Sequence, residues 1–294
     1  MVEKKTAGSR IFDGFNYALL ALTGIVCLYP FLYVLFGSFS DPNTFLRHDF
    51  VFLWKPAGFS LEAYRHVFTK NLLIGYRNTI FYVLAGTAIS MFFTFLGAYV
   101  LSQKNFLFKR PLTMFIMFTM YFNGGMIPTY LWVQNLGMVD TVWAILLPSA
   151  LSTYNMIVLR TAFSGIPDSL LEAARIDGAG EFTCLFSIVI PLSKATVSVI
   201  ILFYAVSRWN EWLPATIYLR SRALYPLQLF LRETLLTGTA QSIIDSGGNT
   251  SNVTALAELI KHATIVVASA PILCVYPFIQ KYFVAGMMIG GVKE

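Results

Sequence analysis

The sequence predicts an all-α polytopic membrane protein. Three observations carry that prediction. Only 12% of the 294 residues are charged, apolar runs long enough to cross a bilayer recur along the chain, and those runs are apolar all round. A soluble domain carries roughly 25% charged residues, so this chain has too little polar surface to coat a water-soluble particle of its size. Its hydrophobic share is 56% and its mean hydropathy is +0.65. Cytosolic enzyme, secreted disulfide scaffold, disordered chain and nucleic-acid binder are all poor fits. Strands of a transmembrane barrel would alternate over about ten residues, and these runs do not.

A helix needs about 20 largely apolar residues to cross the hydrocarbon. The first run, 15–38, holds no charge. It is longer than the apolar core of a signal peptide, about 7–15 residues, and Phe39-Ser40-Asp41-Pro42 is no small-residue cleavage site. It therefore reads as an uncleaved anchor. Further runs lie at 79–102, 112–134, 141–159, 195–218 and 263–290, which brings the expected count to six spans. The third is interrupted by Asn123-Gly124-Gly125, the fifth holds Arg208 and Glu211, and the sixth holds Lys281. A count of five is the alternative.

Basic residues in short loops mark the cytoplasmic side. Lys104, Lys109 and Arg110 crowd the second connection, the third (136–140) has neither Lys nor Arg, and Lys4, Lys5 and Arg10 precede the first span. The N-terminal segment (1–14), the second connection and the C-terminus (Lys293, Glu294) are expected in the cytoplasm. The longer connections 39–78 and 219–262 are expected outside, because long loops translocate largely regardless of charge. Taken with Asp140 of the third connection, they carry an excess of two cations, which suits either an anionic polysaccharide or an acidic partner protein.

The chemistry of catalysis is missing. His48, His66 and His262 are scattered, and no phosphate-binding GxxxxGK[ST] loop or GxSxG elbow occurs. Cys27, Cys184 and Cys274 form no CxxC pair, so neither a metal site nor a disulfide framework is expected. No metal and no cofactor are expected on this chain.

The expected cytoplasmic connection 160–194 is far longer than its neighbour at 103–111. It carries helix-start chemistry, with Asp168 as cap or Ser169 paired with Glu172 in a capping box. Leu170, Leu171, Ala173, Ala174 and Ile176 follow, Gly178 stops the helix, and a second helical stretch over 181–189 is closed by Pro191. Two short helices joined by a glycine elbow are expected to lie across the membrane surface, with Asp168, Glu172, Asp177 and Glu181 as its acids.

Glu172-Ala173-Ala174, then three residues, Gly178, nine residues and Ile188-Val189-Ile190-Pro191 resemble the EAA loop of ABC importer permeases, EAA-x3-G-x9-I-x-L-P. The one departure is Ile190 for Leu. The resemblance implies the type I ABC importer permease fold. It also implies that Asp168, Glu172, Ala173, Ala174, Asp177, Gly178, Ile188 and Pro191 belong to a coupling helix that docks on an ATP-hydrolysing subunit. An ordinary amphipathic interfacial hairpin is the plainer alternative. Pro56–Tyr64 as Pro-Ala-Gly-Phe-Ser-Leu-Glu-Ala-Tyr, Arg77-Asn78-Thr79, Trp209-Asn210-Glu211-Trp212 and Val284-Ala285-Gly286 are similar to sugar-importer permeases of the maltose type. Phe122-Asn123-Gly124-Gly125-Met126-Ile127-Pro128-Thr129-Tyr130 is closer to a subgroup importing large saccharides such as alginate or pectic fragments.

Membrane helices tolerate Gly and Pro where protein or a water-filled cavity satisfies the freed backbone. Gly124, Gly125 and Pro128 are therefore hinge candidates, or kinks that serve packing alone. Arg208 and Glu211, three residues apart, share a helix face and face either the bundle interior or a water pathway. Trp209 and Trp212 anchor at the headgroups or, with Tyr130, stack on sugar rings, while Asn210 and Glu211 bond hydroxyls. The resemblance implies uptake of an oligo- or polysaccharide through the bacterial inner membrane, delivered by an extracytoplasmic solute-binding protein. A second, related but heterologous permease chain and two ATP-binding subunits carrying ATP and Mg complete the expected complex. A secondary transporter or channel without an ATPase is the rival, although no convincing internal repeat is present.

Overall fold

The computed structural model describes residues 7–46, 53–236 and 255–274. In chain order the described helices are α1 (Ala7–Ser38), α2 (Pro42–Leu46), α3 (Glu62–Val67), α4 (Lys70–Ser102), α5 (Lys109–Tyr121), α6 (Met126–Asn135), α7 (Trp143–Leu146), α8 (Thr153–Ser164) and α9 (Asp168–Ile176). They continue with α10 (Glu181–Leu192), α11 (Lys194–Trp209), α12 (Leu213–Tyr218), α13 (Leu227–Leu236) and α14 (Ala255–Cys274).

Three of these, α1, α4 and α14, are continuous and apolar enough to cross a bilayer; α10 and α11 meet at a bend of 90°. The expected runs at 112–134, 141–159 and 195–218 are each split, into α5 and α6, α7 and α8, and α11 and α12. Helix α4 starts at Lys70, so positions 70–78 of the expected outside connection are helical. Likewise α14 starts eight residues before the sixth apolar run. Lys4, Lys5, the stretch 237–254, Pro277, Lys281, Val284-Ala285-Gly286 and the C-terminus lie outside the described residues.

The chain divides into two compact units, 1–69 with 231–270, and 70–230 with 271–294. In the first, α1 ends on Ser38, whose hydroxyl lies 2.8 Å from that of Tyr64. Ser40 forms an antiparallel bridge with Phe59, and Phe39 stacks on Phe59 at 5.9 Å. The Pro-Ala-Gly-Phe-Ser motif is thus the stretch that folds back on the end of the first helix through a single bridge. Asp41 caps α2 by accepting the Thr44 N–H at 3.0 Å, with Pro42 at the first helical position.

The second unit is organised on α4. Gly86, Ser90, Thr94 and Ala98 repeat every four residues on one buried face of that helix. Such a stripe of small residues lets helices approach closely where no hydrophobic driving force exists. Here it receives α11: the Thr94 and Tyr204 hydroxyls lie 2.8 Å apart, and Arg208 fills the space over Gly86. A core of Met91, Ala98, Leu101, Met156, Leu159, Phe163, Leu185 and Ile200 ties α4 to α8, α10 and α11. At the other end of α4, Asn78 donates to the carbonyls of Ala223 (2.7 Å) and Tyr225 (3.0 Å), Tyr82 donates to that of Leu224 (2.9 Å), and the Leu227 N–H donates to Thr79 (2.8 Å). The Arg-Asn-Thr motif is a clasp on the segment between α12 and α13. Asp140, in the left-handed region at φ 60°, fastens the same segment by accepting from Arg220 N–H and Ser221 N–H, both at 2.8 Å.

Candidate functional site

Helix α9 is amphipathic. Leu171 is buried and Ala174 half-buried against the core, whereas Glu172, Ala173, Asp177 and Gly178 are exposed. The expected side-chain cap is absent: Pro167 stands at the N-cap without a capping bond, and the Asp168 carboxylate instead pairs with Lys104, 64 residues earlier. That partner also raises the Lys104 pKa. The C-terminus closes as a Schellman motif, with Gly178 N–H on Arg175 O (3.1 Å), Ala179 N–H on Ala174 O (2.9 Å), and Gly178 at φ +84°. An L-side chain resists that φ, which is why the elbow needs glycine.

After the elbow, Glu181 is held from two sides. Arg175 donates to its two oxygens at 3.0 and 3.2 Å, and the Tyr99 hydroxyl donates at 2.5 Å. Arg175 also donates to the Gln103 side chain at 3.1 Å, so the hairpin is moored to the end of α4. From Cys184 to Val189 the helix winds as a π-helix, burying Cys184, Leu185 and Val189. Ile188 is half-buried against the core and Pro191 exposed just before the bend at Ser193. What remains outside is a face of small, acidic and large apolar residues, including Ile176 (86% exposed) and Phe182 (67%).

The second constellation surrounds the gap between α7 and α8. Arg208, only 4% exposed, donates to the carbonyls of Ile145 (2.8 Å), Leu146 (3.2 Å) and Ser149 (3.0 Å), to the Ser149 hydroxyl (2.8 Å) and to Glu211 (3.1 Å). One turn earlier on the same helix, the Tyr204 hydroxyl accepts the Ser152 N–H at 3.0 Å. Glu211 keeps 15% of its side chain exposed and stands 3.4 Å from the Ser149 hydroxyl. Asn210 is exposed and donates to Val206 O. Trp209 is half-buried with Tyr76 at 6.5 Å, and Trp212 precedes α12. Tyr130 stacks on Tyr218 at 6.1 Å. Gly125, at φ +91°, starts α6 after the break, with its N–H on Asn123 (2.8 Å). Among the described residues no three His, Cys, Asp or Glu side chains gather as metal ligands.

Residues 90–289 match the family described as binding-protein-dependent transport system inner membrane component. The chain belongs to that family. As a permease it is 40% identical to the polygalacturonan/rhamnogalacturonan transport system permease protein YtcP of Bacillus subtilis, over 97% of this chain and 99% of the relative. It is 39% identical to protein LplC of the same organism, over 98% and 97%. A chain in the crystal structure of a bacterial ABC transporter involved in the import of the acidic polysaccharide alginate superposes with a TM-score of 0.85. That chain is 34% identical, with 96% of the permease and 100% of that chain covered. The type I importer fold expected from the EAA spacing is thereby established, and a channel or secondary transporter is not favoured.

The permease brings Arg208, Glu211 and Tyr204 to one gap and leaves Tyr130 in a separate aromatic cluster with Tyr218 and Tyr82. Sequence reasoning missed Tyr204, Ser149 and Ser152. The only local signal of the gap was Pro148. One consequence concerns pH. Arg175 and Tyr99 hold the Glu181 carboxyl below the usual carboxylate range. A depressed acid contributes stability above its unfolded pKa, about 4.3, and loses it only as pH falls through the lower folded value. Hydrogen exchange of the Ala179 and Cys184 amides, corrected for intrinsic rate, is therefore expected to stay flat from pH 8 to about 5. Protection falls below that range, and in Glu181→Gln it is reduced throughout.

Proposed function

We propose that the permease is one transmembrane subunit of an ATP-driven importer of acidic oligo- or polysaccharides. In this reading the substrate arrives on an extracytoplasmic binding protein. A second, related permease chain completes the pathway, and two ATP-binding subunits, which carry the ATP and Mg, dock at the cytoplasmic face. The N- and C-termini and 160–194 are cytoplasmic; 39–78 and 219–262 lie toward the outside, including the parts that are helical. The chain itself hydrolyses nothing. Its hairpin, with Glu172, Ala173, Asp177 and Gly178 outward, receives the ATPase, and the hinge set Gly124, Gly125 and Pro128 bends with the pathway.

The observation that carries this reading is the hairpin, moored to the core through Leu171, Ala174 and Glu181 while Glu172, Ala173 and Gly178 of the motif stay uncovered. A hairpin made only to lie in the lipid interface would turn its apolar face to the membrane rather than pack Leu171 and Ala174 into the core of the bundle. The acidic substrate is supported by the relatives named for polygalacturonan and alginate. It is also supported by exposed Arg77 and Arg222, which flank the Asn78 clasp, and by exposed Arg220. Trp209, Asn210, Glu211 and Trp212 are the pathway residues of this proposal, with exposed Asn210 suited to sugar hydroxyls. The test is the complete complex in proteoliposomes with its binding protein. Oligogalacturonate or oligoalginate should stimulate ATP hydrolysis and accumulate inside, and neutral glucans should not. Equal stimulation by neutral glucans would remove the acidic class, and no response to any saccharide would remove the substrate assignment.

A further inference from the structure

A membrane helix can be interrupted only where other groups satisfy its freed backbone. Between α7 and α8 that duty falls on side chains of α11. At one end of the gap the carbonyls of Ile145, Leu146 and Ser149 take three hydrogen bonds from Arg208; at the other the Ser152 N–H reaches Tyr204. Tyr204 and Arg208 are four residues apart and so share one face of α11. Both are seated by α4: a Cβ on residue 86 would stand 2.9 Å from the Arg208 Nε, and Thr94 stands behind the Tyr204 hydroxyl. Helix α11 is joined to the hairpin at Ser193, and α8 leads into the hairpin from its other side. The gap is therefore tied by side chains to one helix and by the chain itself to another, and both run to the same hairpin.

We propose that Tyr204 and Arg208 are positioning residues that lock the 147–152 gap to α11, so that gap and helix move as one body when the hairpin is displaced. The lock rests on the coupling reading above for its functional consequence, but not for its existence. Arginine is suited to it because its planar fork places donors on several carbonyls at once. A lysine concentrates three donors on one atom. Glu211 balances the charge, with one oxygen on Arg208 and the other accepting from the Ser149 hydroxyl.

The test uses the membrane-embedded complex with Leu151→Cys as reporter, an exposed position inside the gap that makes no part of the lock. Maleimide labelling of that cysteine is read by peptide mass spectrometry, which separates it from Cys27, Cys184 and Cys274. In Tyr204→Phe labelling should accelerate by about tenfold, the gain in local opening expected from losing one buried hydrogen bond to the gap, and in Arg208→Gln, which loses several, by at least as much. Arg208→Lys should fall between Gln and the parent. Saccharide imported per ATP hydrolysed should drop in both variants while the complex stays assembled. Labelling at the parent rate overturns the lock, and accelerated labelling with an unchanged import-to-hydrolysis ratio overturns its part in coupling. The labelling needs neither saccharide nor nucleotide, so a parent complex that responds to no saccharide would sink the substrate reading alone.

Discussion

A methyl group on residue 86 is expected to cost the bundle about 1–3 kcal/mol, the usual penalty of overpacking, and Gly86→Leu is expected not to assemble at all. The added Cβ would lie 2.9 Å from Arg208 Nε, 3.2 Å from its Cδ and 3.3 Å from its Cζ. The end of a long side chain normally yields to such a contact. This one is held by three carbonyls, a hydroxyl and a carboxylate, so moving it a few tenths of an ångström strains all five bonds together. Gly97 provides the control on the same helix. A Cβ there would meet the Met156 sulfur at 2.5 Å, but a thioether on three rotatable bonds can swing aside. Thermal unfolding of the purified complex should therefore rank Gly86→Ala well below Gly97→Ala. Arg208→Ala is damaging in itself because it strands the Glu211 carboxylate and the gap carbonyls. Added to that background, Gly86→Ala should cost almost nothing further, and an undiminished cost would show that the penalty does not pass through Arg208.

Much of the architecture was legible in the sequence because the bilayer imposes length and polarity on each run. Residues 15–38 and 79–102 read as single helices and are so, although Pro30 removes one backbone hydrogen bond inside the first. The break before α6 was also legible, because two adjacent glycines announce it. The gap at 147–152 was not. A 19-residue apolar window around Pro148 reads as a continuous span, and the groups that make its interruption tolerable come from Tyr204 and Arg208, more than 50 residues later. Hydropathy is local and the satisfaction of a broken backbone is not.

The same distinction runs through the site. The exposure of Glu172, Ala173 and Gly178 could be read from the motif because amphipathic periodicity and a glycine stop are local features. The cap at Asp168 was misjudged because its carboxylate found Lys104, a partner that no window over the hairpin contains. Arg208 and Glu211 were recognisable as a pair by spacing alone. That most of the arginine's donors serve α7 and the gap is set by packing on Gly86.

Substitutions at the elbow are expected to separate backbone strain from contact with the ATPase. A Cβ at Gly178 would meet nothing within 4 Å in this chain, so the internal cost of a side chain is the left-handed φ of +84°, about 1–2 kcal/mol for an ordinary residue. Asparagine visits that conformation with little penalty. Gly178→Asn should leave the thermal stability of the isolated permease close to that of the parent, and Gly178→Ala should lower it slightly. If the ATPase covers the elbow, both variants weaken its docking, and Gly178→Trp abolishes saccharide-stimulated hydrolysis and uptake because the indole has no room between two proteins. Glu172→Lys should act with similar force by reversing the charge of an exposed contact residue, since Glu172 belongs to the uncovered face of α9. Co-purification of the ATP-binding subunits with each variant, followed by transport in proteoliposomes, measures both effects. Normal stimulated hydrolysis and uptake in both Gly178→Trp and Glu172→Lys would leave the hairpin an interfacial anchor, with the ATPase held elsewhere.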